Sequence, residues 1–359
     1  MKRFALVFAL VLPLLSGCAS VAYYWQGIRG ELDILERAQP IPAVIETTSD
    51  ALLKRKLERS IAIRDYASRE LALPDNGSYR SYADIGRRFV LWNVIATPEL
   101  SLEPRQWCFP IAGCVNYRGY FEEAAAKNEA AQFAASGDDI HIAGVPAFST
   151  LGYFNDPILS TFIRYPDPEV ARLIFHELAH QVAYAKDDSV FNESFAVLVE
   201  EEGVERWLAA QSDPALAAQF ASTQRYREGF RELVDRTRTR LAALYASDAS
   251  DEAKRAGKAA AFAQMRADYA ALKLQWGGSA GYDLWFAQGP TNASLASVAL
   301  YSRKVPEFRA LLAAEGANLP RFYARVRELA RMPREERNRA LAAAGLSTTA
   351  GRAAKAATP

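Results

Sequence analysis

Apolar positions change their spacing along the chain, and the changes divide it into an N-terminal part and a helical part. In residues 49–71 the apolar positions recur at helical spacing. Between about residues 82 and 164 they come in short runs rich in β-branched and aromatic residues, which predict strands at 88–96, 114–121 and 139–148. Helical spacing returns at Asp167 and continues to about residue 345. The order predicts an α+β fold in which N-terminal helices and a small β-sheet precede a mostly helical half.

The first 18 residues have the pattern of an export signal. Lys2 and Arg3 precede an apolar run that is too short to span a bilayer as a mature helix. The ending "LSGC" resembles a bacterial lipobox, which implies lipidation of Cys18; a plain signal peptide cleaved nearby is the alternative. With Ala19 rather than Asp after the cysteine, the resemblance implies attachment to the periplasmic face of the outer membrane.

The rest of the chain has the composition of a globular protein. Apolar residues make up 50% and charged residues 24% of the sequence, which suits a substantial core. The net charge of +1 and the lack of a dense basic run argue against a nucleic-acid partner. We therefore expect a signal peptide at 1–18, an N-terminal α/β part at 19–166, a helical part at 167–345 and a disordered tail at 346–359.

The helix predicted over residues 167–182 carries two of the chain's three histidines. Its apolar residues share one face, while His176 and His180 lie one turn apart on the other side. Two neutral imidazoles at this spacing can ligate one metal ion. Glu177 lies beside them, where it can accept a proton from a zinc-bound water. The pattern predicts a catalytic zinc, and chance occurrence on a surface helix is the alternative.

Glu193 is the predicted third ligand. A turn at Asp187 and Asp188 separates the zinc helix from the next helix, so an antiparallel pair would bring Glu193 back beside the histidines. A carboxylate on that otherwise apolar face is costly unless it meets a cation or a hydrogen-bond partner. The alternative is an acid that serves the helix dipole. Glu200, on the same face, receives a supporting role, with a solvated charge as the alternative.

At this point the sequence resembles a known family. "HELAHQ" followed by "DSVFNESFAVLVE" is similar to the zinc-binding segment of the aminopeptidase N group of gluzincin metallopeptidases. The resemblance implies a gluzincin-like fold, with His176, His180 and Glu193 as zinc ligands and Glu177 as the general base. The connection from His180 to Glu193 is about half a dozen residues shorter here than in that group.

Most of residues 15–305 look like a family of bacterial lipoproteins described as predicted aminopeptidases. The segments that carry this likeness are "LSGC", "YYWQGIRGELDIL", "GCVNYRGYF", "GVPAFSTLGYFNDPILSTF", the zinc segment and "TNASLASVALY". The zinc segment is the specific part of the likeness, and it lies at the junction of the two halves, where clefts are common.

The segment "GVPAFSTLG" follows a predicted strand just upstream of the zinc helix. Because gluzincins pair an extended substrate with an edge strand at this place, the resemblance implies substrate contacts by strand addition. These contacts would come from Gly144, Val145, Pro146 and Ala147. The alternative is a loop that only packs on the sheet, and we interpret the nearby His141 as structural.

Tyr301 is our candidate for a phenol that stabilises the oxyanion, with Tyr226 and Tyr282 as rivals; a packing role is the alternative for each. Export would place Cys108 and Cys114 in an oxidising compartment, so we predict a disulfide between them, with two free thiols as the alternative.

The predicted function is a zinc-dependent peptidase with one Zn²⁺ per chain and a peptide substrate. Aminopeptidase activity follows from the resemblance alone, because the Gly-Ala-Met-Glu-Asn motif that holds the substrate ammonium in aminopeptidase N is not present. A zinc endopeptidase, a cell-wall peptide hydrolase and a non-catalytic lipid-anchored binding or assembly protein with structural zinc are the alternatives. Three ligands with an open position favour catalysis, since structural zinc sites usually have four protein ligands.

Overall fold

The computed structural model describes residues 21–109 and 113–343. The predicted signal peptide with Cys18 and the predicted disordered tail lie outside the described residues. None of the helices in the described ranges is long and apolar enough to cross a membrane.

The N-terminal part mixes helices with short strands. Its elements in chain order are α1 (residues 21–37), β1 (Gln39–Pro40), α2 (Ile41–Thr47), α3 (Ala51–Arg69), β2 (Ser81–Ala83), β3 (Leu91–Thr97), β4 (Trp107–Phe109), β5 (Gly113–Val115), β6 (Arg118–Tyr120), α4 (Glu123–Ala135), β7 (Asp139–Val145) and β8 (Ile158–Leu159). Asp50 caps α3 by accepting hydrogen bonds from the backbone N–H groups of Leu52 and Leu53.

The strands form three small sheets. β6, β3 and β7 make an antiparallel sheet with β3 in the middle, so β7 is an edge strand. Ala126 and Ala130 of α4 cover this sheet, where they pack with Val94 and Tyr120. β1, β2 and β8 form a second sheet, and β4 pairs with β5. Cys108 and Cys114 are directly opposed in that last pair and form a disulfide.

The helical part begins at Asp167, as the spacing predicts. Its elements are α5 (Asp167–Val182), α6 (Ser189–Gln211), α7 (Pro214–Ala246), α8 (Asp251–Gln275), α9 (Asp283–Ala287), α10 (Asn292–Ser302), α11 (Val305–Ala314), α12 (Leu319–Arg331) and α13, which covers residues 334–343 of the described chain. α5 packs against α6, and the long helices α7 and α8 pack against each other. The fold is therefore α+β and mostly helical.

One large core joins both parts of the chain. It contains residues of α3, such as Leu57 and Ile63, together with residues of α5, α6 and α12. Gly203 lets α6 approach this core closely, because a Cβ there would lie 2.8 Å from the Phe175 ring and 2.9 Å from Leu71 Cδ1. The helix that carries the two histidines is thus held on several sides by packed side chains.

Candidate active site

Three side chains predicted as metal ligands converge between α5 and α6. The Nε2 atom of His176 lies 3.3 Å from Oε2 of Glu193, and the Nε2 atom of His180 lies 3.7 Å from it. A ligand atom of each lies within 4.8 Å of the others, and all three residues are buried. Two ligands of a tetrahedral zinc ion at ordinary bond lengths are separated by about 3.4 Å. The donor set and its spacing therefore fit a zinc ion.

A tight connection between α5 and α6 produces this convergence. Asn192, which is buried, accepts a hydrogen bond from the Ala185 N–H at 2.7 Å and donates one to the Ala185 carbonyl at 2.9 Å. Asp188 caps α6 by accepting from the Phe191 N–H at 3.1 Å, and its other oxygen pairs with Arg337 at 2.9 Å. These contacts fix where α6 begins, and hence where its first turns place Glu193.

The neighbouring Asp187 lies in the left-handed region with φ +66°. Its carboxylate accepts a hydrogen bond from the Cys114 N–H at 2.6 Å. The disulfide hairpin of β4 and β5 is thus attached to the same turn that positions Glu193.

His176 is held by a chain of charged groups on its far side. Its Nδ1 atom lies 2.8 Å from Oε2 of Glu200, whose two oxygens accept from Nη1 of Arg172 at 2.9 and 3.0 Å. Burial alone would raise the pKa of Glu200, but the Arg172 guanidinium and the His176 contact lower it to about 2. An ionised carboxylate at Nδ1 orients the ring and leaves Nε2 for a metal ion. Glu200 therefore has a partner on each side, and it is not a solvated charge.

The two histidines differ in their surroundings. Burial lowers the pKa of His180 to about 4, which keeps that imidazole neutral and suited to ligation. Burial also disfavours the charged form of His176, but the contacts with Glu193 and Glu200 outweigh it and raise the pKa to about 10. Metal binding at Nε2 would release the proton from that nitrogen.

Glu177 is buried next to the histidines. Burial raises its pKa to about 8, and the carboxylates of Glu193 and Asp156 add to this effect against His176. A cation held by the three ligands would favour the ionised form again. Glu177 thus lies beside the three predicted ligands, and the charges of its neighbours determine whether its carboxyl group is protonated.

A cavity of about 340 Å³ opens beside these residues. Glu177 and His176 line it together with all four residues of the predicted substrate segment, Gly144 to Ala147. β7 brings the first two of these to the cavity as part of an edge strand. The backbone of an edge strand offers hydrogen-bonding groups that no neighbouring strand uses.

Residues 22–341 match a family model described as "Putative aminopeptidase". The chain belongs to this family. No curated protein and no solved structure matches it. The family description confirms the interpretation as a member of a predicted aminopeptidase family. The more specific likeness of the zinc segment to aminopeptidase N and the lipid attachment stay predictions.

Of the three tyrosine candidates in this aminopeptidase family member, Tyr301 alone lines the cavity. Its ring centroid lies 6.3 Å from that of His176, and the negative charge of Glu193 together with burial raises its pKa well above the usual value. Tyr226 instead donates its hydroxyl to the Trp276 carbonyl at 3.3 Å, and Tyr282 stacks on Phe230.

Sequence reasoning missed a second phenol at the cavity. Tyr117 lines it, and burial followed by the charge of Glu193 raises its pKa well above the usual value. The residue lies in "GCVNYRGYF", one of the segments that carry the family likeness, which is the one signal in the sequence that points to it. Both phenols are therefore protonated hydroxyls next to the ligand set, able to donate a hydrogen bond.

Proposed function

We propose that this protein is a zinc-dependent peptidase of the aminopeptidase type. The observation that carries the proposal is the convergence of His176 Nε2, His180 Nε2 and Glu193 Oε2 on one point beside the buried Glu177. The family description supports peptidase activity at a coarse level. Three ligands would leave a coordination position open, as in catalytic rather than structural zinc sites.

His176, His180 and Glu193 would hold the ion, one per chain. When bound, zinc polarises a carbonyl oxygen and lowers the pKa of a coordinated water. Glu177 would take the proton of the attacking water and later deliver it to the leaving amine. Glu200 keeps the His176 ring in the orientation that ligation needs.

The substrate would lie along β7 with its carbonyl toward the ligand set. Backbone groups at Gly144 and Val145 would pair with the extended peptide, and Pro146 and Ala147 would contact it where the strand ends. The Tyr301 hydroxyl would donate a hydrogen bond to the oxygen that becomes negative during attack, with Tyr117 as the second phenol nearby.

We further propose that the protein is exported and attached through a lipid on Cys18 to the periplasmic face of the outer membrane. The sequence pattern of residues 1–19 supports this proposal, and α1, whose described part begins at residue 21, adds a surface that suits contact with a membrane. One face of α1 packs on the protein through Tyr23, Gln26 and Ile34. The opposite face carries exposed apolar side chains at helical spacing, namely Val21, Trp25, Ile28 and Leu32.

The decisive experiment combines a peptide-library digest, analysed by mass spectrometry, with metal analysis of the wild type and of Glu177→Gln. We expect one zinc per chain in both proteins, removal of N-terminal residues by the wild type, and no hydrolysis by the variant. Glu202→Gln, on the outer side of α6 and paired with Arg206, is the matched control and should behave as the wild type.

Retained hydrolysis in Glu177→Gln would contradict the proposed mechanism. Internal cuts would identify an endopeptidase instead. Bound zinc without cleavage of any peptide would favour the binding-protein alternative.

A further inference from the structure

Positive side chains dominate the charged lining of the cavity beside the ligand set. Arg172, Arg227 and Arg231 are among the residues that line it, while its acidic residues are Glu177 and Glu200. An aminopeptidase needs a free acid to hold the substrate ammonium, but Glu200 is bound to Arg172 and His176. The charges of this cavity thus suit a negatively charged group on the substrate.

The three arginines differ in how many of their guanidinium donors already have a hydrogen-bond partner. Arg172 is engaged on both sides, by Glu169 and by Glu200. Arg231 binds Glu201 through Nη1 at 2.7 Å, and within the described chain its Nε and Nη2 atoms have no hydrogen-bond partner. Two of its donors on one edge of the guanidinium therefore stay available, which is the geometry that binds a carboxylate in a bidentate manner.

The acids around the arginines are each shared between two charged or titratable groups. Glu201 is shared between Arg231 and Arg309, and Glu169 is shared between Arg172 and Arg227. In this network four guanidinium groups share the three carboxylates of Glu169, Glu200 and Glu201. The fourth guanidinium, that of Arg309, lies outside the cavity lining, so Glu201 is divided between Arg231 in the cavity and Arg309 outside it.

We propose that Arg231, assisted by Arg227, forms a subsite that binds a carboxylate of the peptide substrate, so that the preferred substrates are short peptides with a free carboxylate. The inference rests on the proposed function, and it narrows the substrate class. The carboxylate comes either from the peptide's C-terminus or from an acidic side chain, and both present the same oxygens to the arginine fork.

The test compares matched peptides. The first pair is a tripeptide with a free C-terminal carboxylate and the same tripeptide with a C-terminal amide. The second pair is two peptide amides, one with Glu and one with Gln next to the cleaved bond. We measure kcat and KM for all four. We expect about tenfold higher kcat/KM for the carboxylate member of one pair, mainly through KM. Preference within the first pair identifies the C-terminus, and preference within the second identifies the side chain. Equal values in both pairs would overturn the subsite.

Variants test whether Arg231 causes the preference for the carboxylate peptide. Arg231→Gln should abolish the difference in kcat/KM within the pair, and Arg231→Lys should retain part of that difference because the positive charge remains. Arg309→Gln is the matched control, because it removes the other partner of Glu201 while its side chain is 53% exposed and lies outside the cavity lining. Equal losses in Arg231→Gln and Arg309→Gln would assign the effect to Glu201 and overturn the proposal. Arg227→Gln, which leaves Arg172 on Glu169, is the second variant if Arg231→Gln does not fold.

Binding separates this inference from the proposed function. The same peptide pairs are titrated into zinc-loaded Glu177→Gln protein, and their Kd values are compared. Carboxylate-selective binding without hydrolysis by the wild type would contradict the peptidase and leave the subsite standing. Hydrolysis by the wild type, together with equal Kd values for the two members of each pair, would support the peptidase and contradict the subsite.

Discussion

His176 Nδ1 and Glu200 Oε2 lie 2.8 Å apart, on the side of the imidazole opposite to Glu193. Glu193 and Glu200 are seven residues apart in α6, so they lie about two turns apart on the same face of the helix. One helix face thus carries both the predicted ligand Glu193 and the carboxylate that contacts the predicted ligand His176. Arg172 contacts that carboxylate from α5, the helix that carries the histidines.

Replacing Glu200 should weaken zinc binding without removing any ligand. In Glu200→Gln the amide cannot accept from both Arg172 and His176 as an ionised carboxylate does. We expect a loss of about 10- to 100-fold in zinc affinity, measured by titration against a competing chelator. Glu202→Gln, whose side chain pairs with Arg206 on the outer side of α6, should change affinity little. Equal affinities for the wild type and Glu200→Gln would show that Glu200 does not support His176.

The convergence of His176, His180 and Glu193 could be predicted from the sequence because its geometry is local. The spacing of His176 and His180 is that of one helical turn, and a short connection forces Glu193 back to them. The arginine network could not be predicted in this way. Arg172 and Arg231 come from α5 and α7, and only the packing of these helices around α6 brings both to one cavity.

Asn192 holds the connection that places Glu193. In Asn192→Ala the backbone N–H and C=O of the fully buried Ala185 lose their partners. We expect the free energy of unfolding to fall by about 2–4 kcal/mol in urea titrations. Asn318→Ala, which removes the cap of α12, is the comparison and should cost about 1 kcal/mol. A loss no larger than that of the comparison would mean that the Asn192 contacts contribute little.

Glu31 in α1 should make the protein less stable as the pH rises. Its carboxylate oxygens have no hydrogen-bond partner among the described residues, and burial, with the charge of Asp156, raises its pKa to about 7. The pKa of Glu31 is higher in the folded than in the unfolded protein, so folding takes up a proton. The contribution of Glu31 to the free energy of unfolding is therefore greatest at low pH and is lost as the pH rises between about 4.5 and 7.

Glu31→Gln should therefore be more stable than the wild type at pH 8, by on the order of 1 kcal/mol after allowance for partial exposure, and no more stable at pH 4.5. Urea unfolding of both proteins at the two pH values measures this difference. Glu36→Gln, at an exposed position of the same helix, should show no such change. A difference that is the same at both pH values would contradict the assignment.

The sequence pattern predicts the helix α1 but not which of its two apolar faces packs on the protein. Helical spacing at Ile28, Leu32 and Leu35 predicts the helix, but it does not say which apolar positions face the protein. The structure packs Tyr23, Gln26 and Ile34 inward and leaves Trp25 and Ile28 exposed. A helix with apolar residues on opposite faces has two surfaces to cover, and the folded chain covers one of them.

The exposed face of α1 should bind a lipid surface on its own. A protein that begins at residue 19, and so lacks Cys18, should sediment with phospholipid vesicles, and the double variant Trp25→Ser with Ile28→Ser should bind at least about tenfold more weakly. Leu274→Ser is the matched control, because Leu274 is 80% exposed but lies in α8. Unchanged vesicle binding in the double variant would exclude this face as a membrane contact. Concentration-dependent dimers that the same double variant abolishes would assign the face to a second copy of the chain.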